Sequence, residues 1–311
     1  MSTTDLLLSW YASHFRDLPW RRTTDPYRVW VSEIMLQQTQ VTTVLPRYAA
    51  WFETFPTIQS LANAHLDDVL KLWEGLGYYR RARFIHAAAQ VICEKHNGIF
   101  PQQFDDILAL PGIGRSTAGA ISSFCFGTST PVLDGNVKRV LQAWVNKKAN
   151  DPELWLMAND WIHQSKQPDI WNQAMMELGA TVCQAKSRTC EICPMVSICQ
   201  AAFMPIELVS KASKVVDVFW QVHVHQNEQQ HIWLTQRPNQ GIWAGLWTPP
   251  ITELKKKPKL APNLIHPLTH RRIHLYLDES NAQPQGDGRW VTSWEGFAIP
   301  TGIYRLFETR K

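Results

Sequence analysis

The sequence predicts a multidomain protein, with an all-α first part and a smaller α+β second part, and three observations support this prediction. Apolar residues recur at three- and four-residue spacings through about the first 200 residues, which is the period of helices. From Val215 the pattern changes to strand-like alternation. Four of the six cysteines lie between Cys183 and Cys199, shortly before that change. We therefore expect domains over residues 1–202 and 215–311, joined by a linker over residues 203–214.

The composition is that of a globular chain. Charged residues make up 19% and hydrophobic residues 45% of the 311 residues, which excludes a disordered protein. The net charge of +4 permits a local basic face but does not by itself predict a polyanionic partner. The N-terminus lacks the features of a signal peptide, and no apolar run approaches the roughly 18 residues of a membrane span. We expect a soluble cytoplasmic protein that does not enter a membrane.

The first helices carry one candidate acid. After breaks at Leu18–Arg22 and Asp25–Tyr27, the spacing predicts a single long helix that begins near Tyr27 and carries VWVSEIMLQQTQVTTVL. Glu33 lies one turn before Gln37 and Gln38, so one helix end would present an acid and two amides together. Taken alone, Glu33 is typical of a solvated helix residue.

A second candidate segment follows a glycine-bracketed break at Gly75–Gly77. Tyr78, Tyr79 and three arginines lead from this break into the next helix. Aromatic rings beside basic side chains suit nucleic-acid contact by stacking and charge. A helix cap with a solvated basic face is the alternative, and this segment alone favours it.

The stretch LPGIG, Leu110–Gly114, predicts a tight turn between two helices. Glycine permits a positive φ there, and Gly112 and Gly114 would let the backbone approach a ligand closely. The helix that follows would point its free N–H groups at an anion such as a phosphate. Asp134 comes about twenty residues later, at the start of another helix, where an N-cap for a helix beginning near Asn136 is the alternative to a catalytic carboxylate. Further helices are predicted over residues 152–164 and 170–181.

The four clustered cysteines have the spacing Cys183-x6-Cys190-x2-Cys193-x5-Cys199. In a chain without an export signal, such clustering favours a metal site over disulfides. Four thiolates suit either a structural zinc or a four-iron cluster, and the single Cys-x2-Cys pair favours iron and sulfur. Lys186 and Arg188 put cations on the first loop, where they would contact phosphates.

The second domain has five strand-like stretches. They are VVDVFWQVHVH, HIWLTQR, GLWTPP, THRRIHLYL and GIYRLFE, separated by Asn, Gln, Pro and Gly turns. The run Lys255–Lys259 is interpreted as an exposed loop.

These motifs, in this order, resemble the endonuclease III superfamily of helix-hairpin-helix DNA glycosylases. Within it, DPYRVWVSEIMLQQTQV, LWEGLGYYRRAR, LPGIGRSTAGAI, VLDGNVKRV and WNQAMMELGA resemble the MutY-type adenine DNA glycosylases. The resemblance implies an all-α glycosylase domain with an iron–sulfur lobe, one 4Fe-4S cluster held by the four cysteines, and a MutT/Nudix-like second domain. It also implies a monomer that acts on double-stranded DNA carrying adenine opposite 8-oxoguanine or guanine, associated with the nucleoid if the source is bacterial.

The resemblance assigns the acid–base chemistry to Glu33 and Asp134. Cleaving an N-glycosidic bond needs a proton on the leaving base and negative charge near the developing oxocarbenium ion. Glu33 would protonate adenine N7, and Asp134 would stay ionised. Endonuclease III-like members carry a Schiff-base lysine in LPGxGRKTA, where this chain has Ser116. Without that amine, we expect a monofunctional enzyme that uses water.

The DNA contacts implied by the resemblance are more dispersed, and they include Ser116 and Asn136. The wedge and the lesion-strand contacts fall on Gln38, Thr39, Leu76 and Tyr78, although helix packing is an alternative for Leu76. The adenine pocket would be lined by Arg21 and Gln173, with surface exposure as the alternative for Gln173.

The second domain of the family checks for 8-oxoguanine, often with a Phe-Ser-His turn. The corresponding sequence here is Leu268-Thr269-His270, so Thr269 and His270 are expected to contact 8-oxoguanine. A polar turn at the end of a strand is the alternative. The metal-binding box of Nudix pyrophosphatases, Gx5Ex7REUxEExGU (U is a bulky aliphatic residue), does not occur after Val215. A nucleotide hydrolase is therefore disfavoured. Ser116 and the second domain disfavour an endonuclease III-like or thymine-mismatch glycosylase, and the presence of both acids disfavours an inactive DNA scanner.

Overall fold

The computed structural model describes residues 2–205, 215–279 and 284–310. Most of the predicted linker, residues 206–214, lies outside the described residues. In the part of the chain described, no helix is long and apolar enough to cross a membrane. The helices are α1 Thr3–His14, α2 Pro26–Met35, α3 Val41–Thr54, α4 Ile58–Ala62, α5 Leu66–Leu72, α6 Arg80–Lys95, α7 Phe104–Leu108, α8 Arg115–Phe126, α9 Gly135–Trp144, α10 Asp151–Gln164, α11 Pro168–Thr181 and α12 Thr301–Glu308. The strands are β1 Val216–His223, β2 Ile232–Gln236, β3 Trp247–Thr248, β4 Ile251–Leu254, β5 Leu264–Pro267, β6 Arg271–Asp278 and β7 Arg289–Val291.

The chain packs as two compact units that are not continuous in sequence. The helical unit comprises Met1–Val44, Phe55–Ala62 and Ala87–Val209. The mixed unit comprises Leu45–Thr54, Asn63–His86 and Ser210–Lys311. The predicted change from helices to strands is confirmed. Among the described residues, β1 is the first strand, and only an isolated bridge between Cys183 and Arg188 precedes it.

Local sequence signals fix several helix ends of the helical unit. The Ser2 and Asp5 side chains form a reciprocal capping box at the start of α1, and Asn150 and Glu153 form another at the start of α10. α8 ends at Gly127, whose φ of 66° is the left-handed conformation that closes many helices.

The core of the helical unit lies between α1, α9, α10 and α11. Tryptophans link three of these helices: the Trp161 ring lies 5.3 Å from that of Trp144 and 5.8 Å from that of Trp171, between ring centres. Aromatic pairs at such distances add stabilisation beyond the apolar area that they bury. This core holds the N-terminus of α9 against α11.

The mixed unit is built on two sheets. The four-stranded sheet has the order β4-β1-β6-β5, with β1 and β6 parallel and the outer strands antiparallel to their neighbours. The three-stranded sheet has the order β3-β2-β7. Trp220, Leu234, Ile273 and Leu306 are buried in the core between these elements.

The predicted single helix from Tyr27 through the two glutamines is wrong. α2 ends at Met35, and α3 begins at Val41. Gln38 has a φ of 58°, which is incompatible with a continuous right-handed helix. The sequence gives no stop signal here, because glutamine is a good helix former and no glycine or proline intervenes.

The strand predicted for GIYRLFE is also wrong. This stretch forms α12, which follows Pro300 and buries Ile303 and Leu306. These two residues are three apart and so share a helix face, and Phe307 packs against the same core. The spacing fits a helix, and the aromatic and β-branched composition misled the prediction.

Candidate active site

α2 places Glu33 at the wall of a cavity. The helix begins after Asp25, whose carboxylate accepts a hydrogen bond from the Tyr27 N–H at 2.9 Å, and Pro26 occupies the first helical position. The apolar neighbours Val31 and Ile34 are buried, which fixes the helix and leaves Glu33 half-buried. The hydrogen bonds of the described residues include none to the Glu33 carboxylate.

Asp134 is the N-cap of α9. Its carboxylate accepts hydrogen bonds from the Val137 N–H at 2.8 Å and from Asn136 Nδ2 at 3.0 Å. The N-cap alternative is therefore confirmed, and it fixes the orientation of the carboxylate. Gly179 of α11 lies so close that a Cβ atom there would be 2.6 Å from that of Asn136. Only glycine allows this approach of the two helices.

One cavity of about 880 Å³ brings together six of the predicted site residues. They are Arg21, Glu33, Thr39, Asp134, Asn136 and Gln173. They come from five separate stretches of the chain, so the fold, and not their sequence spacing, gathers them. A cavity of this size accommodates a drug-sized ligand, which exceeds a single nucleobase.

The two carboxylates have different electrostatic surroundings. Burial, and then the nearby charge of Asp134, raise the pKa of Glu33 to about 8, although Arg21 opposes the shift. Burial also raises the pKa of Asp134, but hydrogen bonds from Val137 and Asn136 and the charge of Arg139 lower it. The net pKa of Asp134 stays above its ordinary value. Near neutral pH, Glu33 therefore holds a proton, and the hydrogen bonds and the charge of Arg139 favour the ionised form of Asp134 against its burial.

A buried ion-pair network forms another wall of the cavity. The Glu177 side chain is 0% exposed and accepts hydrogen bonds from Arg16 Nε and Arg21 Nη2, both at 2.7 Å. Burial works to raise the pKa of Glu177, but the two arginines lower it below its ordinary value. Tyr11 donates a hydrogen bond to Gln173 Oε1 at 2.9 Å, and the Arg21 guanidinium lies 5.5 Å from the centre of the Tyr11 ring.

Sequence reasoning missed Glu177, Arg16 and Tyr11. One available signal was the spacing of Gln173 and Glu177, which are four residues apart and therefore share one face of α11. The pairing of Glu177 with arginines that lie more than 150 residues earlier is a tertiary contact that no local pattern encodes.

Two known domain families match separate parts of the chain. Residues 31–161 match the HhH-GPD superfamily base excision DNA repair proteins, and residues 221–309 match the NUDIX domain. Over 296 residues, the chain is 39% identical to the adenine DNA glycosylase of Buchnera aphidicola subsp. Baizongia pistaciae, covering 87% of this chain and 82% of that protein. The chain belongs to the adenine DNA glycosylase family.

Two further comparisons support the family and the fold, respectively. The chain is 46% identical over 211 residues to the adenine DNA glycosylase of Homo sapiens, covering 63% of this chain and 38% of that protein. The solved structure of a thermostable thymine-DNA glycosylase superposes with a TM-score of 0.59 at 26% identity, covering 64% of this chain and 94% of that one. The predicted family, the fold class and the DNA N-glycosylase activity in base excision repair are thus confirmed.

The helix-hairpin-helix of this adenine glycosylase family member has the predicted geometry. Gly112 adopts a φ of 77° in the turn between α7 and α8, and Gly114 is the N-cap of α8, which has no side-chain cap. Ser116 Oγ accepts a hydrogen bond from the Leu133 N–H at 3.1 Å, directly before Asp134. Ser116 therefore steadies the segment that carries Asp134, and it is not among the described residues that line the cavity.

The predicted wedge residues show unusual backbone conformations. Gln38 and Tyr78 have φ values of 58° and 47°, which are rare outside glycine and are often retained at functional sites. Gln38 and Tyr78 are exposed, whereas Leu76 is only 4% exposed. Packing explains Leu76, so its assignment to DNA contact stays a prediction.

Within the mixed unit, two predicted DNA-binding residues contact each other. The Tyr78 and Thr269 hydroxyl groups form a hydrogen bond, although they are 191 residues apart in sequence. Both line a cavity of about 1060 Å³, together with Arg83, Trp243 and His270. Thr269 and His270 are exposed in the turn between β5 and β6.

The four clustered cysteines line one small cavity of the helical unit. They are Cys183, Cys190, Cys193 and Cys199, and none forms a disulfide. Among the described residues, no group of His, Cys, Asp or Glu side chains is already arranged to hold a metal ion. Four thiols that converge on one cavity nevertheless match the donor set of a thiolate-bound cluster. Lys186 beside it is exposed, and Arg188 lines the cavity.

Arg139 connects the cysteine segment to the candidate active site. It donates hydrogen bonds to the Cys183 carbonyl at 2.7 Å, the Gly179 carbonyl at 2.6 Å and Asn136 Oδ1 at 2.8 Å. Asn136 in turn donates to Asp134. One guanidinium thus ties together α9, α11 and the first cysteine.

Proposed function

We propose that the protein removes adenine from duplex DNA by acid-assisted hydrolysis of the N-glycosidic bond, where the adenine faces 8-oxoguanine or guanine. The observation that carries the proposal is the pair of carboxylates in one cavity, with the pKa of Glu33 raised to about 8 beside the N-cap Asp134. A protonated and an ionised carboxyl group in one site are what glycosidic cleavage requires. The names of the similar proteins supply adenine as the base.

The two carboxyl groups take separate steps. The Glu33 proton goes to adenine N7 as the bond between the sugar C1′ and N9 breaks, so the base leaves as a neutral molecule. The Asp134 carboxylate stabilises the positive charge that develops on the sugar. Water then attacks C1′ and returns its proton to Glu33, which restores the starting state. The product is an abasic site in an intact strand.

Ser116 supports a monofunctional reaction. A hydroxyl group forms no Schiff base, and Ser116 is already an acceptor for the Leu133 N–H. We expect product strands to remain intact until they are treated with alkali, and borohydride to trap no covalent complex. A borohydride-trapped enzyme–DNA adduct would contradict this part of the proposal.

The wall that Glu177 organises would hold the flipped adenine. Its ion pairs fix Arg21, and Tyr11 fixes Gln173, so guanidinium and amide groups are pre-positioned beside Glu33. Donors held in place before the base arrives lower the cost of ordering them on binding. Thr39, Gln38 and the hairpin glycines would contact the DNA around the base.

Recognition of the opposite base is assigned to the mixed unit. Tyr78, Thr269 and His270 line one cavity there, and their hydroxyl and imidazole groups would hydrogen-bond to 8-oxoguanine. Replacing Thr269 and His270 with alanine should reduce the preference for 8-oxoguanine over guanine. An unchanged preference would place recognition elsewhere.

The four cysteines are proposed to hold one 4Fe-4S cluster. When bound, the cluster would cross-link residues 183–199, and the exposed Lys186 and the partly buried Arg188 in its first loop would contact phosphate. Iron and sulfide analysis of the purified protein tests this assignment, and zinc without iron would contradict it. We further propose that the protein acts as a monomer in the cytoplasm.

Single-turnover cleavage of duplexes with adenine opposite 8-oxoguanine tests the central proposal. Glu33→Gln removes the transferable proton and should slow adenine release by about 10²- to 10⁴-fold. Glu94→Gln is the matched control, since Glu94 is exposed on α6 and does not line the cavity, and it should keep the wild-type rate. A Glu33→Gln enzyme with the full rate, or a wild type without activity, would refute the mechanism.

A further inference from the structure

The Lys255–Lys259 loop lies at the same end of the four-stranded sheet as the turn that carries Thr269. β4 is antiparallel to β1, β6 is parallel to β1, and β5 is antiparallel to β6. The end of β4, the end of β5 and the start of β6 therefore share one end of the sheet. The lysine loop leaves this end directly after β4, and the Thr269 turn connects β5 to β6 there.

The register places the end of β4, where the lysine loop begins, three residues short of the level of Arg271. Leu254 at the end of β4 is opposite Phe219 of β1, and Phe219 is opposite His274 of β6. Arg271 lies three residues before His274, nearer to this end of the sheet. β4 and β6 are two strand spacings apart, or roughly 10 Å. Along the axis of B-DNA, one strand places a phosphate about every 3.4 Å, so basic groups roughly 10 Å apart reach more than one phosphate.

The positive charge at this end is not neutralised locally. Lys255, Lys256, Lys257 and Lys259 are all exposed, and the ion pairs found among the described residues include none of them. Two acids on the strands at this end of the sheet already have partners. Asp217 pairs with Arg272 at 2.9 Å, and Glu253 pairs with Arg237 at 3.5 Å.

We propose that the Lys255–Lys259 loop and Arg271 form a phosphate-binding surface that holds duplex DNA beside the mispair. The proposal rests on the proposed function for its partner and for the role of the Thr269 turn. Lysine contacts phosphate as a point charge and reads no base. The loop therefore adds affinity for every duplex equally and leaves the preference for 8-oxoguanine to the neighbouring turn.

The salt dependence of DNA binding measures this contribution. The wild type and the variant K255Q/K256Q/K257Q/K259Q are titrated with a duplex whose adenine carries a 2′-fluoro sugar that resists cleavage, and with an undamaged duplex, between about 50 and 200 mM salt. Each lost phosphate contact lowers the slope of log K against log salt by about 0.9, so two to four contacts lower it by about 2 to 4. The affinities for both duplexes should fall by the same factor.

Two controls isolate the charge and the position. The variant K255R/K256R/K257R/K259R keeps the charge and should keep the wild-type slope. Arg310→Gln removes a positive charge that pairs with Glu279, and Glu279 follows the far end of β6. This variant should also leave the slope unchanged. An unchanged slope for the glutamine variant would overturn the proposal.

Two other results are informative. Because β4 is an edge strand, the lysines that follow it could instead oppose pairing with a second copy. Self-association of the glutamine variant with a wild-type slope would establish that role and overturn DNA contact. A lowered slope in an enzyme that excises no adenine would refute the proposed function and leave the phosphate surface standing.

Discussion

Glu33 and Asp134 are chemically similar carboxyl groups that the fold places in different surroundings. Asp134 receives two hydrogen bonds that stabilise its charge, whereas Glu33 has none among the described residues and lies close to the Asp134 charge. A capping aspartate is common, and so is a half-buried glutamate. Their convergence on one cavity is what makes the pair suited to acid-assisted cleavage.

The pH dependence of excision follows from this difference. The single-turnover rate should fall as the pH rises through about 8, because Glu33 then loses the proton that it donates. The rate should also fall at low pH as Asp134 takes up a proton. Because burial raises the pKa of Asp134, this fall should begin at a higher pH than for an ordinary aspartate. DNA binding measured at each pH separates chemistry from association. A rate that stays constant from about pH 7 to pH 9 would contradict the assignment of Glu33.

At the scale of elements, the sequence predicted what local rules encode. The glycine turn before α8, the N-cap Asp134 and the start of α10 follow from turn and capping chemistry. The break at Gln38 did not, because its left-handed conformation depends on packing and not on a local stop signal. α12 was predicted as a strand because of its aromatic and β-branched residues, although the spacing of its apolar residues fits a helix.

The Arg139 bridge between α9, α11 and Cys183 gives a prediction at this scale. Arg139→Gln removes three short hydrogen bonds and the charge beside Asn136, so it should lower the melting temperature, the iron content and the excision rate together. The matched control is the neighbouring Lys138→Gln. Lys138 pairs with the exposed Asp151 at 2.7 Å, and loss of such a surface pair costs about 1 kcal/mol or less. Equal effects of the two variants would show that Arg139 acts only through its charge.

At the scale of the whole molecule, sequence reasoning predicted the order of helices and strands better than their packing. The domain limits 1–202 and 215–311 were read from a change in periodicity, and they remain a prediction. The mixed unit also contains Leu45–Thr54 and Asn63–His86, which no periodicity assigns to a strand-rich unit. Long-range contacts such as the one between Tyr78 and Thr269 decide this grouping, and a single sequence does not encode them locally.

Asp67 of α5 contributes to the packing of this helix against the strands of the mixed unit. Asp67 accepts hydrogen bonds from Gln236 Nε2 at 3.0 Å and from Trp247 Nε1 at 3.2 Å, so it links the first helices of the mixed unit to its sheets. Asp67→Ala should destabilise the protein by about 1–3 kcal/mol, because it leaves the donor of the buried Trp247 without a partner. Asp68→Ala loses the same charge from the same helical turn, but Asp68 is exposed. Thermal unfolding of both variants should therefore show a larger loss for Asp67→Ala, and equal losses would mean that helix electrostatics alone account for the effect.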